Sequence, residues 1–218
     1  MTKTIAVLGG TGNEGPGLAL RWAKSGRYSV IIGSRQAEKG ERVAAELNER
    51  LGQNLIRGMS NEDAARATDL AVLTVPYSAQ EPTLTALRDL LQGKILVDVT
   101  VPLKPPKVSH VNVPPGGSAG LEAQAILGEG VRVVSAFQNV GAAHLAEGES
   151  HIDCDVLICG NDKEAKAEVI ALAEAAGMRG IDAGPLQNSV VVEGLTAVLI
   201  GINIRHKAKG AGIKITGI

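Results

Sequence analysis

Gly10-Thr11-Gly12-Asn13-Glu14-Gly15 is the stretch on which the reading of this chain turns. It follows the apolar run Ile5-Ala6-Val7-Leu8 and precedes Pro16-Gly17-Leu18-Ala19, so a Gly-x-Gly-x-x-Gly turn joins an expected strand to an expected helix. In that context each glycine has its own task. Gly10 makes a tight turn, Gly12 lets a pyrophosphate approach the backbone, and Gly15 lets helix and strand pack closely. The helix start presents unpaired N–H groups and a partial positive charge to phosphate oxygens. Thr11 and Asn13 can add side-chain hydrogen bonds, whereas the Glu14 carboxylate has to turn away and leaves only its backbone N–H. The bland alternative is a glycine-rich turn that holds nothing.

Outward from the turn, short β-branched runs alternate with amphipathic stretches, the pattern of a parallel α/β sheet. Strands are expected over 4–9, 28–33, 54–57, 70–75, 94–99, 131–136, 155–160 and 179–182. Several are apolar throughout, such as Ala71-Val72-Leu73-Thr74-Val75, as strands covered on both faces should be. Helices are expected over 16–25, 36–51, 62–67, 78–91, 118–127 and 162–176, the last capped by Asn161 or Asp162. The segment 101–117 holds Pro102, Pro105, Pro106, Pro114, Pro115 and Gly116-Gly117, so it reads as a long loop after the fifth strand. From Leu186 the character changes: 190–205 reads as one apolar helix, followed by a basic, glycine-rich tail containing Lys207, Lys209 and Lys214. The expected architecture is a Rossmann-type doubly wound α/β fold with a mainly parallel sheet over 1–185. A small C-terminal helical lobe and tail follow over 186–218.

A chain of 218 residues buries a core without metal or disulfide staples. Its formal net charge of -1 and its 2% aromatic content argue against nucleic acid as a partner, which calls for a basic field or stacking platforms. The N-terminal apolar run is too short for a signal segment, and the stretch 195–204 includes Thr196, Gly201 and Asn203. The expectation is a cytoplasmic protein with no membrane partner. Cys154 and Cys159 are five apart; on one strand they face opposite sides, so they read as small core hydrophobes. His110, His144, His151 and His206 show no metal-ligand spacing, and no metal site is expected.

The end of the second strand selects the nucleotide. A reader of NAD usually carries Asp or Glu about twenty residues past the glycines, to accept from the ribose hydroxyls. Here that position is Gly33-Ser34-Arg35, with no acid before Glu38. Arg35 can fork onto a 2′-phosphate and Ser34 can donate to it. Lys39, four residues on along a helix, would share the face of Arg35. NADP(H) is the expected cofactor.

Leu8-Gly9-Gly10-Thr11-Gly12-Asn13 and Ile32-Gly33-Ser34-Arg35 together resemble the NADP-dependent oxidoreductases that reduce the deazaflavin coenzyme F420. The likeness continues through Gly58-Met59-Ser60-Asn61-Glu62-Asp63, Ala71-Val72-Leu73-Thr74-Val75-Pro76, Val134-Ser135-Ala136, Asp182-Ala183-Gly184-Pro185-Leu186 and Gly212-Ile213-Lys214. The resemblance implies hydride transfer between nicotinamide C4 and deazaflavin C5, with both rings near the C-terminal edge of the sheet, in a homodimer. It implies that Thr11 through Glu14 hold the pyrophosphate and that Ser34, Arg35 and Lys39 hold the 2′-phosphate. Val75, Tyr77, Val101, Ala142 and Ala211 would lie near the nicotinamide half or the deazaflavin. No acid–base residue is required, because positioning two rings in a dry pocket supplies most of the acceleration. The chain departs from the family where a His follows Val-Ser-Ala-x: Gln138 stands there, able to meet a ring carbonyl but not to carry a proton. Tyr77 stands where a Trp can occur.

Two rival readings remain open at this level. One keeps an NADPH-dependent reductase but changes the acceptor to another flavin, a ferric chelate, or an imine or carbonyl. The other is a non-catalytic NADP(H) redox sensor.

Overall fold

Ile5 and Val7 point to one side of the first strand and Ala6 and Leu8 to the other, and all four are fully buried. That alternation, with apolar residues at every position, is what a strand covered on both faces requires. The computed structural model describes residues 3–147 and 151–218. In chain order the elements begin β1 (Lys3–Leu8), α1 (Gly15–Lys24), β2 (Tyr28–Ser34), α2 (Ala37–Leu51), β3 (Ile56–Ser60), α3 (Asn61–Arg66), β4 (Leu70–Leu73) and α4 (Tyr77–Leu91). They continue with β5 (Ile95–Asp98), α5 (Ala119–Leu127), β6 (Arg132–Ser135), α6 (Ala142–Ala146), β7 (Asp155–Gly160), α7 (Lys163–Ala175), β8 (Arg179–Asp182) and α8 (Ser189–His206).

The eight strands form one sheet in the order β3-β2-β1-β4-β5-β6-β7-β8. The order reverses between β1 and β4, so the carboxyl ends of these two neighbours open the crevice in which doubly wound sheets bind ligands. One face of the sheet packs on α1, α2 and α7 through Leu18, Trp22, Leu47, Val169 and Leu172. The other packs on α3, α4 and α5 through Ala64, Leu84, Leu87, Leu91 and Leu127. Trp22, the only tryptophan, is fully buried in the first layer, donates from Nε1 to Leu172 O at 2.9 Å, and meets Phe137 edge-on at 5.9 Å.

All eight expected strands are present. The third lies two residues later than expected, over Ile56–Ser60, and Gly58 and Gly40 let α2 pack closely on it: a Cβ on Gly58 would fall 2.2 Å from Glu41 N. β7 pairs antiparallel to β6, while every other pairing is parallel. Only two residue pairs join β6 to β7, so β7 runs on past the carboxyl edge of the sheet. Cys154 precedes β7 instead of lying on it, and both cysteines are free and buried. Asp162 caps α7 by accepting from Ala165 N, whereas Asn161 accepts from Leu186 N. No strand or helix interrupts 101–117, as the prolines required.

The segment Leu186–His206 is long and apolar enough to cross a membrane, with a mean hydropathy of 1.3. Yet α8 buries Glu193 against α5. Behind it the tail turns back onto β7 and β8: Asp155 N donates to Ile213 O, and Arg179 bonds both Asp155 and Ile215 O.

Candidate functional site

The turn between β1 and α1 shows what each glycine is for. Gly9 carries the left-handed backbone, with φ +66°, and its N–H donates to Asn61 Oδ1 at 3.0 Å. The tight-turn residue is thus Gly9 together with Gly10, whose N–H reaches Val7 O and Gly33 O. A Cβ on Gly10 would lie 2.7 Å from Val7 O, and one on Gly15 would lie 2.6 Å from Gly10 Cα. Gly12 differs. Its Cβ would meet only Thr74 O at 3.6 Å and Gly9 O at 3.8 Å, ordinary van der Waals distances. Protein packing therefore explains Gly10 and Gly15 but leaves Gly12 free for a close-approaching ligand. Glu14 is the N-cap residue of α1, makes no side-chain cap bond, and burial pushes its carboxyl up to about 7.

A groove of about 610 Å³ runs from this turn along the ends of β1, β2 and β4. Thr11, Gly12, Ser34, Arg35, Lys39 and Val75 line it. Arg35 lies ahead of α2, which begins at Ala37, so it and Lys39 are not helical neighbours as expected; the groove brings them together all the same. Both cations are exposed. Ser34 is buried, and its Oγ accepts from Gln36 N at 3.4 Å, leaving its O–H to donate. The groove has no acidic lining residue among those described. The cradle fits a phosphorylated dinucleotide: an unobstructed Gly12 at a helix start, and two cations and a hydroxyl where the ribose phosphate would lie.

The other expected contact residues take different places. Val75 forms the groove wall, its position fixed by Gly9, where a Cβ would lie 2.2 Å from Val75 Cγ1. Tyr77 opens α4 and donates its hydroxyl to Glu122 Oε2 at 2.7 Å; burial and that carboxylate push the phenol up to about 12. Val101 begins the proline-rich loop, half-buried. Ala142 opens α6, a short helix absent from the expected elements. Ala211 sits in the tail, beside Val140 and Gly141, on a second cavity of about 210 Å³. Gln138, expected to reach a ring carbonyl, instead turns its amide inward: Nε2 donates to Asp98 O and Ser135 Oγ, both at 2.8 Å.

That inward turn belongs to a buried polar network with no sequence signature. Asp98 is fully buried at the end of β5, accepts from Gln80 Nε2 at 2.6 Å and Thr100 N at 3.0 Å, and is pushed up to about 6 by burial. Glu193, 1% exposed, accepts from Ala119 N at 2.7 Å and Gly120 N at 3.0 Å at the start of α5, and from Ser135 Oγ. Burial pushes its carboxyl up to about 8. Between them lies a strained turn: Phe137 has φ +74°, and Gln138 Oε1 and Asn139 Oδ1 are buried without a hydrogen-bond partner among the described residues. Pro76 also lines the groove beside Val75, as do Asn61, Thr74, Ala79 and Thr83, which the sequence reading does not single out as contacts. Asn61 had a signal, as a polar residue inside the stretch 58–63 that carries the family likeness.

The family described as NADP oxidoreductase, coenzyme F420-dependent, matches residues 4–102. An F420-dependent NADP reductase of Methanocaldococcus jannaschii is 46% identical over 222 residues, covering 98% of each chain. Another from Methanothermobacter thermautotrophicus is 40% identical over 225 residues, 100% of this chain and 97% of its own. Among solved structures, a putative F420-dependent NADP-reductase from Arthrobacter sp. FB24 superposes with a TM-score of 0.79 at 27% identity, covering 98% of this chain and 99% of its own.

Proposed function

The chain belongs to the coenzyme F420-dependent NADP oxidoreductases, and from that premise we propose how its residues serve hydride transfer between NADP(H) and the deazaflavin F420. The single observation that carries the assignment is the groove that gathers Gly12, Ser34, Arg35 and Lys39 around one opening. Thr11, Gly12, Asn13 and the Glu14 N–H hold the pyrophosphate at the start of α1. Ser34, Arg35 and Lys39 hold the 2′-phosphate and so prefer NADP over NAD. When bound, the dinucleotide and the deazaflavin supply the chemistry, a hydride passing between nicotinamide C4 and deazaflavin C5. The protein binds and orients. Val75 and Val101 exclude water on one side, and Ala142 and Ala211 close the other with small side chains that admit a flat ring. Tyr77, tied to Glu122, fixes the start of α4 beside the groove. No side chain is asked to relay a proton at the Gln138 position.

The chain works as a homodimer through α8. On one face that helix exposes Val191 (67%) and Val198 (41%), and the neighbouring loop exposes Val111 (52%) and Val113 (59%), an apolar surface of the kind that a second copy covers. The buried Glu193 on its opposite side marks α8 as a packed helix of the fold, in keeping with a cytoplasmic protein. Residues 186–218 are read as a lobe built onto the sheet rather than a separate domain.

The test is direct. Purified protein, NADPH and oxidised F420 are mixed and the deazaflavin absorbance is followed. Its loss is expected; an unchanged absorbance with NADPH binding intact overturns the assignment.

A further inference from the structure

The tail after α8 is held at three points near Ala211. Asn203 Oδ1 accepts from Ala211 N at 2.8 Å, Asp155 N donates to Ile213 O at 2.7 Å, and His144 Nε2 lies 2.9 Å from Gly210 O. The third contact is the one that joins the tail to α6 and the loop leaving β6. Two residues far apart in sequence explain each other there. Gly210 has no positive φ, so its backbone does not demand glycine. A Cβ at that position would lie 2.2 Å from His144 Nε2 and 2.5 Å from Cδ2, so glycine is what admits the ring.

His144 is itself anchored. Arg21, on the helix that begins at the glycine turn, donates from Nη2 to His144 O at 2.8 Å and from Nε to Leu145 O at 3.1 Å. Gly17 on the same helix packs on α6 so closely that a Cβ would lie 2.7 Å from Leu145 Cβ. The pyrophosphate helix, α6 and the tail are thus one hydrogen-bonded chain, with the His144 ring as its last link. Val140, Gly141, Gly210 and Ala211 line one cavity around that link.

We infer that His144 is a positioning residue for the deazaflavin: its Nε2–H donates to the Gly210 carbonyl and so holds Ala211 on the cavity it shares with Val140 and Gly141. The inference rests on the F420 reading above and adds a residue to it. The experiment compares wild type with His144→Ala, His144→Gln, Gly210→Ala and the double variant His144→Ala/Gly210→Ala. Steady-state kinetics, the NADPH dissociation constant and Tm are measured for each. His144→Ala raises KM for F420 by about fivefold, the factor that one neutral hydrogen bond of ordinary strength commands, while kcat and NADPH affinity hold. His144→Gln, whose amide nitrogen can stand where Nε2 stood, restores KM. Gly210→Ala raises KM in the wild type by displacing the tail, but adds nothing once the ring is gone. Unchanged KM in His144→Ala, or full additivity in the double variant, overturns the inference while leaving the F420 reading intact. A wild type unable to reduce F420 would sink both.

Discussion

Replacing Glu193 by Gln tests whether a proton taken up on folding joins α8 to the rest of the molecule. Glu193 is buried at the start of α5, where both of its oxygens accept backbone N–H groups, and its carboxyl is pushed from the ordinary 4.5 up to about 8 by burial. The folded chain therefore binds a proton more tightly than the unfolded chain does. This carboxyl's contribution to stability is complete below about pH 4.5, falls as pH rises, and is nearly gone above about pH 8. At about 1.4 kcal/mol per tenfold change in proton affinity, the whole displacement corresponds to about 5 kcal/mol. Asp98, raised only to about 6, and Glu14, raised to about 7, also lose their shares as pH rises, so it is the difference between wild type and Glu193→Gln across about pH 6 to 8 that isolates Glu193. Across it the wild type should lose about 2 kcal/mol more than the variant. Glu193→Gln lacks this titration, so its profile across that window should keep only the slope of Glu14 and the other groups and be the shallower of the two. It should be less stable than wild type at about pH 6, because one backbone N–H now faces an amide N–H, at a cost of about 1–3 kcal/mol. Urea denaturation of both proteins at about pH 6, 7 and 8 reads the difference as a change in midpoint at constant m. Parallel profiles for the two proteins would refute the reasoning, because the slope would then come from other groups.

Arg35→Ala should weaken NADPH binding by about 1.5–3 kcal/mol and leave NADH binding unchanged, since one charge-assisted contact is removed; titration by nicotinamide fluorescence checks it, and equal losses would show that Arg35 does not read the 2′-phosphate. Gly12→Ala should leave Tm at the wild-type value, its Cβ meeting nothing nearer than Thr74 O at 3.6 Å, while abolishing measurable NADPH binding. Gly15→Ala should lower Tm, because its Cβ falls 2.6 Å from Gly10 Cα; the reverse pattern would contradict the division of roles in the turn. Val191→Glu with Val198→Glu should convert a dimer to a monomer in sedimentation, and a wild type that sediments as a monomer would remove α8 as the interface.

The parts of the fold that follow from local pattern were legible in the sequence. Ile5 to Leu8, Ala71 to Val75 and the proline-rich loop announce themselves through apolar continuity or through the absence of N–H donors. Arg35 was legible because it stands where an acid would otherwise be. What escaped depends on contacts between distant residues. The five-residue helix Ala142–Ala146 is too short to show a period, and it is fixed by Arg21 and Gly17 from another helix. The antiparallel course of β7 leaves no trace in its composition, since an apolar strand reads alike in either direction. The inward turn of Gln138 follows from Asp98 and Ser135, whose burial no nearby residue reveals. Glu193 sits inside a helix that reads as apolar, and only the start of α5 explains why a carboxyl belongs there.

Trp22 has a use that its packing role does not suggest. It is the sole tryptophan, it is shielded from water, and its ring meets Phe137, the residue that begins the strained turn leading to Ala142. Its emission overlaps the absorption of reduced nicotinamide. The molecule thus carries its own optical probe at the junction of the nucleotide helix and the β6 turn. Ligand binding that reshapes that turn can be timed by stopped flow in the unlabelled, unmutated protein.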